Sequence, residues 1–376
     1  MHTTRGDLVI ERPHTAKSSP LRAWSAADVL AIDEITAAAP LGQPGRMLIV
    51  NDEFGALSCA FASVDPTIWS DSASSRAAID HNLVVNGLGP ITADRLVRGH
   101  EQPNAEFDTI VVRLPKTSAL LRYQLTAIAA IAGPSTKVIG AAMARHIHTS
   151  TVKAFDDLIG ATTTSRATRK ARLIHSTPEG AGGDAPAPRE SSFVTADGLN
   201  VVEMPGTFSS GHVDVGSALL LQVLTEQAVP PGAGSVVADL GCGNGILSAG
   251  IARSWTHANF ELLDVSDLAV AAATRTWQAN DLGDRMTAHA VDGFAATRTA
   301  TVDVVITNPP FHQGHAADGE LTDRLLADAA RVLRPNGVAY VVAQRHLHLH
   351  TRLRQWFSQA DVVSAHPSHV VVVARR

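Results

Sequence analysis

The chain is predicted to carry two tandem domains of one α/β class, each built on a mainly parallel sheet. Three observations predict this. Apolar β-like runs alternate with Ala/Leu-rich helical stretches in both halves, the pattern of strands joined by crossover helices. Between them, Ser176-Thr-Pro-Glu-Gly-Ala-Gly-Gly-Asp-Ala-Pro-Ala-Pro188 has no hydrophobic periodicity and is dense in Gly, Pro and Ala, as a linker is. The two halves also repeat one another. The expected division is a first domain over 1–176, a linker over 177–190 and a second domain over 191–376.

The repeat runs in order along both halves. Gly55-Ala-Leu-Ser-Cys-Ala-Phe-Ala62 matches Gly245-Ile-Leu-Ser-Ala-Gly-Ile-Ala252 at an offset of 190. Asp71 answers to Asp264 at 193, and Asn86-Gly-Leu-Gly89 to Asn280-Asp-Leu-Gly283 at 194. Phe107-Asp-Thr-Ile-Val-Val answers to Val302-Asp-Val-Val-Ile-Thr at 195. Each match is short, but four in sequence with a slowly drifting offset indicate one fold, duplicated. The match fails where Gly241, Gly243 and Asn244 fall opposite Asn51, Glu53 and Phe54. A tight ligand-binding turn needs glycine's freedom, so the first half is expected to have kept the fold and lost the ligand.

Composition narrows the class. The 376 residues are 18% charged and 45% hydrophobic, as in a globular protein. No apolar run approaches the length of a membrane span, and Arg5, Asp7, Glu11 and Arg12 precede any apolar stretch, which excludes a secretory signal. Cys59 and Cys242 are too few for a disulfide framework or a zinc site. A cytoplasmic protein follows. The formal charge of −5 is unevenly spread: +2 over 1–176, −13 over 177–323 and +6 over 324–376. Since phosphates are gripped by local basic patches, this distribution permits RNA.

The second half opens its chemistry with Val236-Val-Ala-Asp-Leu-Gly-Cys-Gly-Asn-Gly-Ile-Leu-Ser248, an apolar strand, an acidic residue, a glycine loop and a helix. Gly241 and Gly243 allow a sharp turn and close approach to a ligand, toward which the following helix is expected to direct free N–H groups. The nicotinamide fingerprint needs a third glycine where Ile246 stands. Asp239 ahead of three alternate glycines instead matches the loop that cradles S-adenosylmethionine in class I methyltransferases. The candidate cofactor residues are Asp239, Gly241, Cys242, Gly243 and Asn244, with Asp264 closing the next strand and Asp292 after a third. A carboxylate at Asp264 can accept both ribose hydroxyls, and Asp292 can accept the adenine amino proton.

Asp303-Val-Val-Ile-Thr-Asn-Pro-Pro-Phe311 places Asn-Pro-Pro-Phe directly after an apolar strand. Two prolines exclude helix and hold the Asn308 carboxamide and the Pro309 carbonyl rigidly. An exocyclic amine is a weak nucleophile because its lone pair is delocalised into the ring. Two acceptors gripping its N–H bonds turn that lone pair toward a methyl donor, while the unpaired base stacks on Phe311. Such positioning catalysis can supply about 7–11 kcal/mol without a covalent nucleophile. Asn308, Pro309, Pro310 and Phe311 are therefore the candidate catalytic residues.

Basic residues suggest where RNA phosphates bind. Arg166, Arg169, Lys170 and Arg172 precede the linker, and Arg345 and His346 begin a second region with Arg352, Arg354, Arg375 and Arg376. His346, His348 and His350 alternate as metal ligands on one strand face would, but no Cys or carboxylate stands nearby to complete a site. A polar or RNA-facing surface is the better reading, and no metal is expected.

These residues together resemble bacterial ribosomal RNA small-domain methyltransferases that modify guanine N2, in which a degenerate methyltransferase-like domain precedes the active one. The likeness runs through Pro205-Gly-Thr-Phe-Ser209, Asp214-Val-Gly-Ser217, the 239–245 loop, Asn308-Pro-Pro-Phe-His312 and Arg345-His-Leu347. In the first half it runs through Asn51-Asp-Glu-Phe-Gly-Ala-Leu-Ser-Cys59, Leu114-Pro-Lys116 and Arg169-Lys-Ala-Arg-Leu173, which are most similar to the branch acting on 23S RNA. The resemblance implies two tandem Rossmann-like class I folds, the second catalytic with a mainly parallel seven-stranded sheet. It also implies transfer from S-adenosylmethionine to guanine N2 of 23S RNA, naked or partly assembled. Gln344 departs from the Asn that usually precedes Arg-His-Leu. The alternatives are a 16S RNA enzyme, a glutamine-N5 or adenine-N6 methyltransferase, and a non-catalytic RNA-binding assembly factor.

Overall fold

The computed structural model describes residues 1–13, 21–39, 45–180, 189–207, 211–295, 297–309 and 316–376, with backbone alone for 316–318. Most of the linker, residues 181–188, lies outside them. The chain divides into two compact units, Met1–Arg189 and Glu190–Arg376.

The first unit starts with a short hairpin, β1 (His2–Thr3) and β2 (Gly6–Asp7), followed by α1 (Ala26–Ala38). It then alternates β3 (Met47–Val50), α2 (Ala56–Ala60), β4 (Thr67–Ser70), α3 (Ala73–Val85), β5 (Leu96–Arg98), β6 (Thr109–Arg113), α4 (Ser118–Ile131) and β7 (Lys137–Met143). Helix α5 (Thr149–Leu158) and the hairpin β8 (Thr162–Thr164) and β9 (Ala171–Ser176) complete it. Its seven-stranded sheet has the order β5-β4-β3-β6-β7-β9-β8, parallel except for β9, which runs against both its neighbours.

The second unit begins with the hairpin β10 (Ser191–Val194) and β11 (Asn200–Glu203) and helix α6 (Val215–Glu226). There follow β12 (Val236–Leu240), α7 (Ile246–Ala252), β13 (Asn259–Asp264), α8 (Asp267–Gln278), β14 (Met286–Ala290), β15 (Val302–Thr307), α9 (Ala316–Val332) and β16 (Leu333–Gln344). Helix α10 (Leu349–Leu353) and strands β17 (Gln359–Ala365) and β18 (His369–Arg375) close the chain. The order β14-β13-β12-β15-β16-β18-β17 is that of the first unit, with β18 alone reversed as β9 is there. Buried on both faces, the central strands read as apolar runs: Met47–Val50 is fully buried, as are Val237–Leu240 and Val304–Thr307. One layer of the second unit's core joins Leu220, Val237, Leu247, Phe260, Trp277 and Ile306, and the opposite face packs Val305, Phe294, Leu326 and Val341.

The duplication extends to single hydrogen bonds. Asp108 accepts from Arg46 N (2.7 Å) as Asp303 accepts from Val236 N (2.8 Å). Asn86 exchanges bonds with the backbone of Val9, and Asn280 does so with Asn200. One expected equivalence is corrected by a residue. Strand pairing and the helix caps Ser72 and Ser266 place Ser70, not Asp71, at the position of Asp264. Ser70 Oγ accepts from Ser72 N at 3.3 Å, as Asp264 Oδ1 accepts from Ser266 N at 3.0 Å.

Candidate active site

Strand order reverses between β12 and β15, which lie side by side with Leu240 opposite Thr307. Ligands bind outside the carboxyl ends of strands at such a switch point. Both expected motifs leave the sheet there, Gly241 after β12 and Asn308 after β15. Buried Thr307 ties them together, its hydroxyl donating to the Leu240 carbonyl at 2.7 Å.

The three loop glycines serve different purposes. All have positive φ, +71° at Gly241, +54° at Gly243 and +76° at Gly245, where side chains are strained. A Cβ on Gly245 would lie 2.9 Å from the Ala273 backbone, so this glycine lets α7 approach α8. A Cβ on Gly241 or Gly243 would meet nothing within 4 Å, so the space before these two is open to a ligand.

The loop's N–H groups differ from expectation. Those of Gly241 and Cys242 donate to the Leu263 carbonyl (2.7 and 3.1 Å), Gly243 to Asp264 Oδ2 (2.9 Å) and Gly245 to the Cys242 carbonyl (2.8 Å). Ile246 N donates to Asn244 Oδ1 and Ser248 N to Asp239 Oδ2. Donors already engaged by β13 and by the loop itself suit a ligand without phosphate, such as a sulfonium.

The side chains of Asp239, Cys242 and Asn244 turn into the protein. Cys242 packs in the core, where burial pushes its thiol well above the ordinary range. Asp239 is 0% exposed, its Oδ1 has no partner, and burial raises its carboxyl to about 7 despite the Ser248 bonds. Asp264 is half-buried at the tip of β13, fixed by Gly243 N and Ser266 N, and burial raises its pKa also. The Asp264 carboxylate beside an open glycine loop, with buried Asp239 behind it, fits a cationic cofactor with ribose hydroxyls to donate, so S-adenosylmethionine suits the residues present. Asp292 follows β14 and is ion-paired through Oδ1 with Arg324 of α9 at 2.6 Å, which fixes it at the loop.

At the end of β15, Asn308 is half-buried and Pro309 buried, while Pro310 and Phe311 lie outside the described residues. Asn308 Nδ2 donates to Ser217 Oγ at 3.1 Å and Asp214 Oδ1 at 3.3 Å, both at the start of α6. These partners, and His369 at the start of β18 beside Gly216, were not among the expected site residues.

The first unit fills the corresponding crevice with its own side chains. Asn51 takes φ +60° where Gly241 stands, exchanges bonds with Gln124 (2.7 and 2.8 Å) and donates to the Arg113 carbonyl (3.0 Å). Asp52, raised to about 6 by burial, accepts from Gly55 N, Ser58 N and Ser58 Oγ. Arg113 replaces Asn308 and pairs with buried Asp28 at 2.8 Å.

Of the expected RNA contacts, Arg166, Arg169 and Lys170 are exposed on the β8–β9 hairpin, and Arg172 is half-buried on β9. Thr168 and Ala171 exchange backbone bonds around Arg169 (φ +50°) and Lys170 (φ +64°). That turn normally calls for Asn-Gly. Arg345 and His346 are exposed in the turn after β16, while Arg352 and Arg354 pair with Asp323 and Asp361. His346, His348 and His350 lie on this turn and α10, not on a strand. Among the described residues no group of three His, Cys, Asp or Glu could hold a metal, and no helix is long and apolar enough to cross a membrane.

Comparison with known proteins agrees with this architecture. The RLMG N-terminal domain family model matches residues 1–180, and the methyltransferase small domain model matches residues 198–373. Ribosomal RNA large subunit methyltransferase G of Streptomyces coelicolor is 34% identical, covering 100% of this chain and 99% of the relative. Its namesake in Pseudomonas syringae pv. syringae is 33% identical over 98% of each. Among solved structures, the T. thermophilus 16S rRNA N2 G1207 methyltransferase in complex with AdoMet and guanosine has a TM-score of 0.72. It is 24% identical and is covered over 88% of each chain, which shows the shared fold. By full-length identity above 30% and by both domain models, the chain belongs to the ribosomal RNA large subunit methyltransferase G family.

Proposed function

We propose that the second unit transfers a methyl group from S-adenosylmethionine to the exocyclic N2 of a guanine in large-subunit ribosomal RNA. The observation that carries this reading is the pairing, across adjacent strands, of an open glycine loop backed by Asp264 with a carboxamide whose nitrogen is already engaged. Membership of a family named for the large subunit supports 23S over 16S RNA. The cofactor supplies an electrophilic methyl on a sulfonium.

The chain's residues do the rest. Gly241 and Gly243 admit the ligand closely, and Asp264 accepts ribose hydroxyls with lone pairs not used by Gly243 and Ser266. Asp292, held by Arg324, borders the adenine end. Asn308 Oδ1 and the Pro309 carbonyl accept the two N–H bonds of the amine, which turns its lone pair toward the methyl carbon, and Phe311 stacks on the base. One proton must leave the nitrogen once the methyl bond has formed; the two carbonyl acceptors orient the N–H bonds without keeping the proton, which passes to solvent water. The exposed basic hairpin of the first unit and the Arg345–His346 turn are read as grips for RNA phosphates.

The test is transfer of labelled methyl to 23S RNA from ribosomes lacking the modification, followed by identification of the nucleoside by mass. N2-methylguanosine in 23S RNA is expected. Label confined to 16S RNA, to adenosine or to protein would overturn the assignment, and absence of cofactor binding would favour a non-catalytic RNA-binding factor.

A further inference from the structure

We infer that Asp214 and Ser217 are positioning residues that lock the Asn308 carboxamide with its oxygen toward the substrate amine. This rests on the reading of Asn308 as the group that receives that amine. A carboxamide is nearly isosteric about its axis, yet only its oxygen can accept an amine N–H, so a flipped Asn308 would oppose donor to donor.

The start of α6 decides the orientation. Asp214 caps that helix, its Oδ1 accepting from Gly216 N at 2.9 Å and Ser217 N at 3.1 Å, which holds the oxygen in place. The same oxygen accepts from Asn308 Nδ2 at 3.3 Å, and Ser217 Oγ, on a buried side chain, accepts from it at 3.1 Å. An ionised carboxylate only accepts, so a flip would bring the Asn308 oxygen against it without a proton between them. Gly216 completes the fit. A Cβ there would lie 3.1 Å from Asp214 Oδ1 and 3.4 Å from both Asn308 Nδ2 and His369 Cδ2.

The first unit offers an independent comparison. Ser25 caps α1 with Asp28 in a capping box, and the strand-end residue Arg113 donates to Asp28 at 2.8 Å and to Ser25 Oγ at 3.3 Å. The helix-start acceptors still clamp a strand-end donor, but a guanidinium has no acceptor to offer a substrate. The clamp survives in both halves, and only the group it holds differs.

The experiment is a double-mutant cycle on the full chain, read as single-turnover rate, KM for RNA, cofactor Kd and melting temperature. Ser217→Ala keeps the helix cap and is expected to slow transfer about fivefold, and Asp214→Ala about 30-fold, with KM and cofactor Kd within about twofold. Asp214→Asn, which keeps an acceptor, should recover most of the Asp214→Ala loss. In an Asn308→Ala background neither change should slow the residual rate further. Undiminished losses in that background, a loss expressed in KM alone, or no loss in either single variant would overturn the clamp while leaving the proposed function intact. An Asn308→Ala protein of full activity would overturn both.

Discussion

Replacing Asp239 by Asn isolates one buried charge, and its effect can be worked out from the structure. The carboxyl is wholly buried, accepts from Ser248 N through Oδ2, and has an unpartnered Oδ1. Burial raises it from an ordinary 3.8 to about 7. At about 1.4 kcal/mol per tenfold change in proton affinity, that is about 4 kcal/mol. Because the folded value lies above the unfolded one, the stability linked to this group is fully present below about pH 4 and lost as pH rises to about 7. Asn keeps an oxygen for Ser248 N and cannot ionise. Urea unfolding of both proteins from pH 4 to 8, without cofactor, should show the wild type losing up to about 4 kcal/mol relative to Asp239→Asn across that window. A cationic cofactor should reverse part of this loss in the wild type alone. Parallel pH curves for the two proteins would refute the reasoning.

Four further outcomes follow from the same geometry. Gly245→Ala should destabilise the second unit by about 1–3 kcal/mol in thermal unfolding, since its φ and its 2.9 Å approach to Ala273 both oppose a side chain. Gly243→Ala should cost less stability but at least tenfold in cofactor affinity by calorimetry. Arg113→Ala leaves buried Asp28 with its Ser25 bonds but no cationic partner, and should lower first-unit stability by about 3 kcal/mol, read by hydrogen exchange in β6 and α1. The paired change Arg169→Asn with Lys170→Gly should raise stability, because Asn-Gly suits the turn. It should also reduce the slope of log affinity for RNA against log salt by about 1.4, at about 0.7 for each single-strand phosphate no longer neutralised.

Much of the site was legible because its parts are contiguous in sequence. The glycine loop and Asn308-Pro309 each follow an apolar strand, and local pattern alone placed both at strand ends. Their adjacency followed from the switch point of the fold. The loop's hydrogen bonds were not legible, because the N–H groups of Gly241 and Cys242 are taken by Leu263 of the neighbouring strand. Asp214 and Ser217 lie over 90 residues from Asn308 and reach it only through the packing of α6 over the sheet, so no local spacing announces them. The one-residue error at Asp71 came from matching identical letters across loops of unequal length. Strand pairing shows that a serine hydroxyl does there what a carboxylate does in the second unit. The histidine alternation misled because a two-residue spacing puts side chains on one face only within a strand, and these residues fall in the turn after β16 and on α10.

The central claim is that Asn308 acts on the substrate amine and not on the cofactor. It is tested most directly by comparing single-turnover methyl transfer with cofactor affinity in Asn308→Ala. The account predicts a rate at least about 100-fold lower, as when a transition-state hydrogen-bond partner is removed, with cofactor Kd within about threefold. Equal losses in rate and affinity, or an unchanged rate, would contradict it.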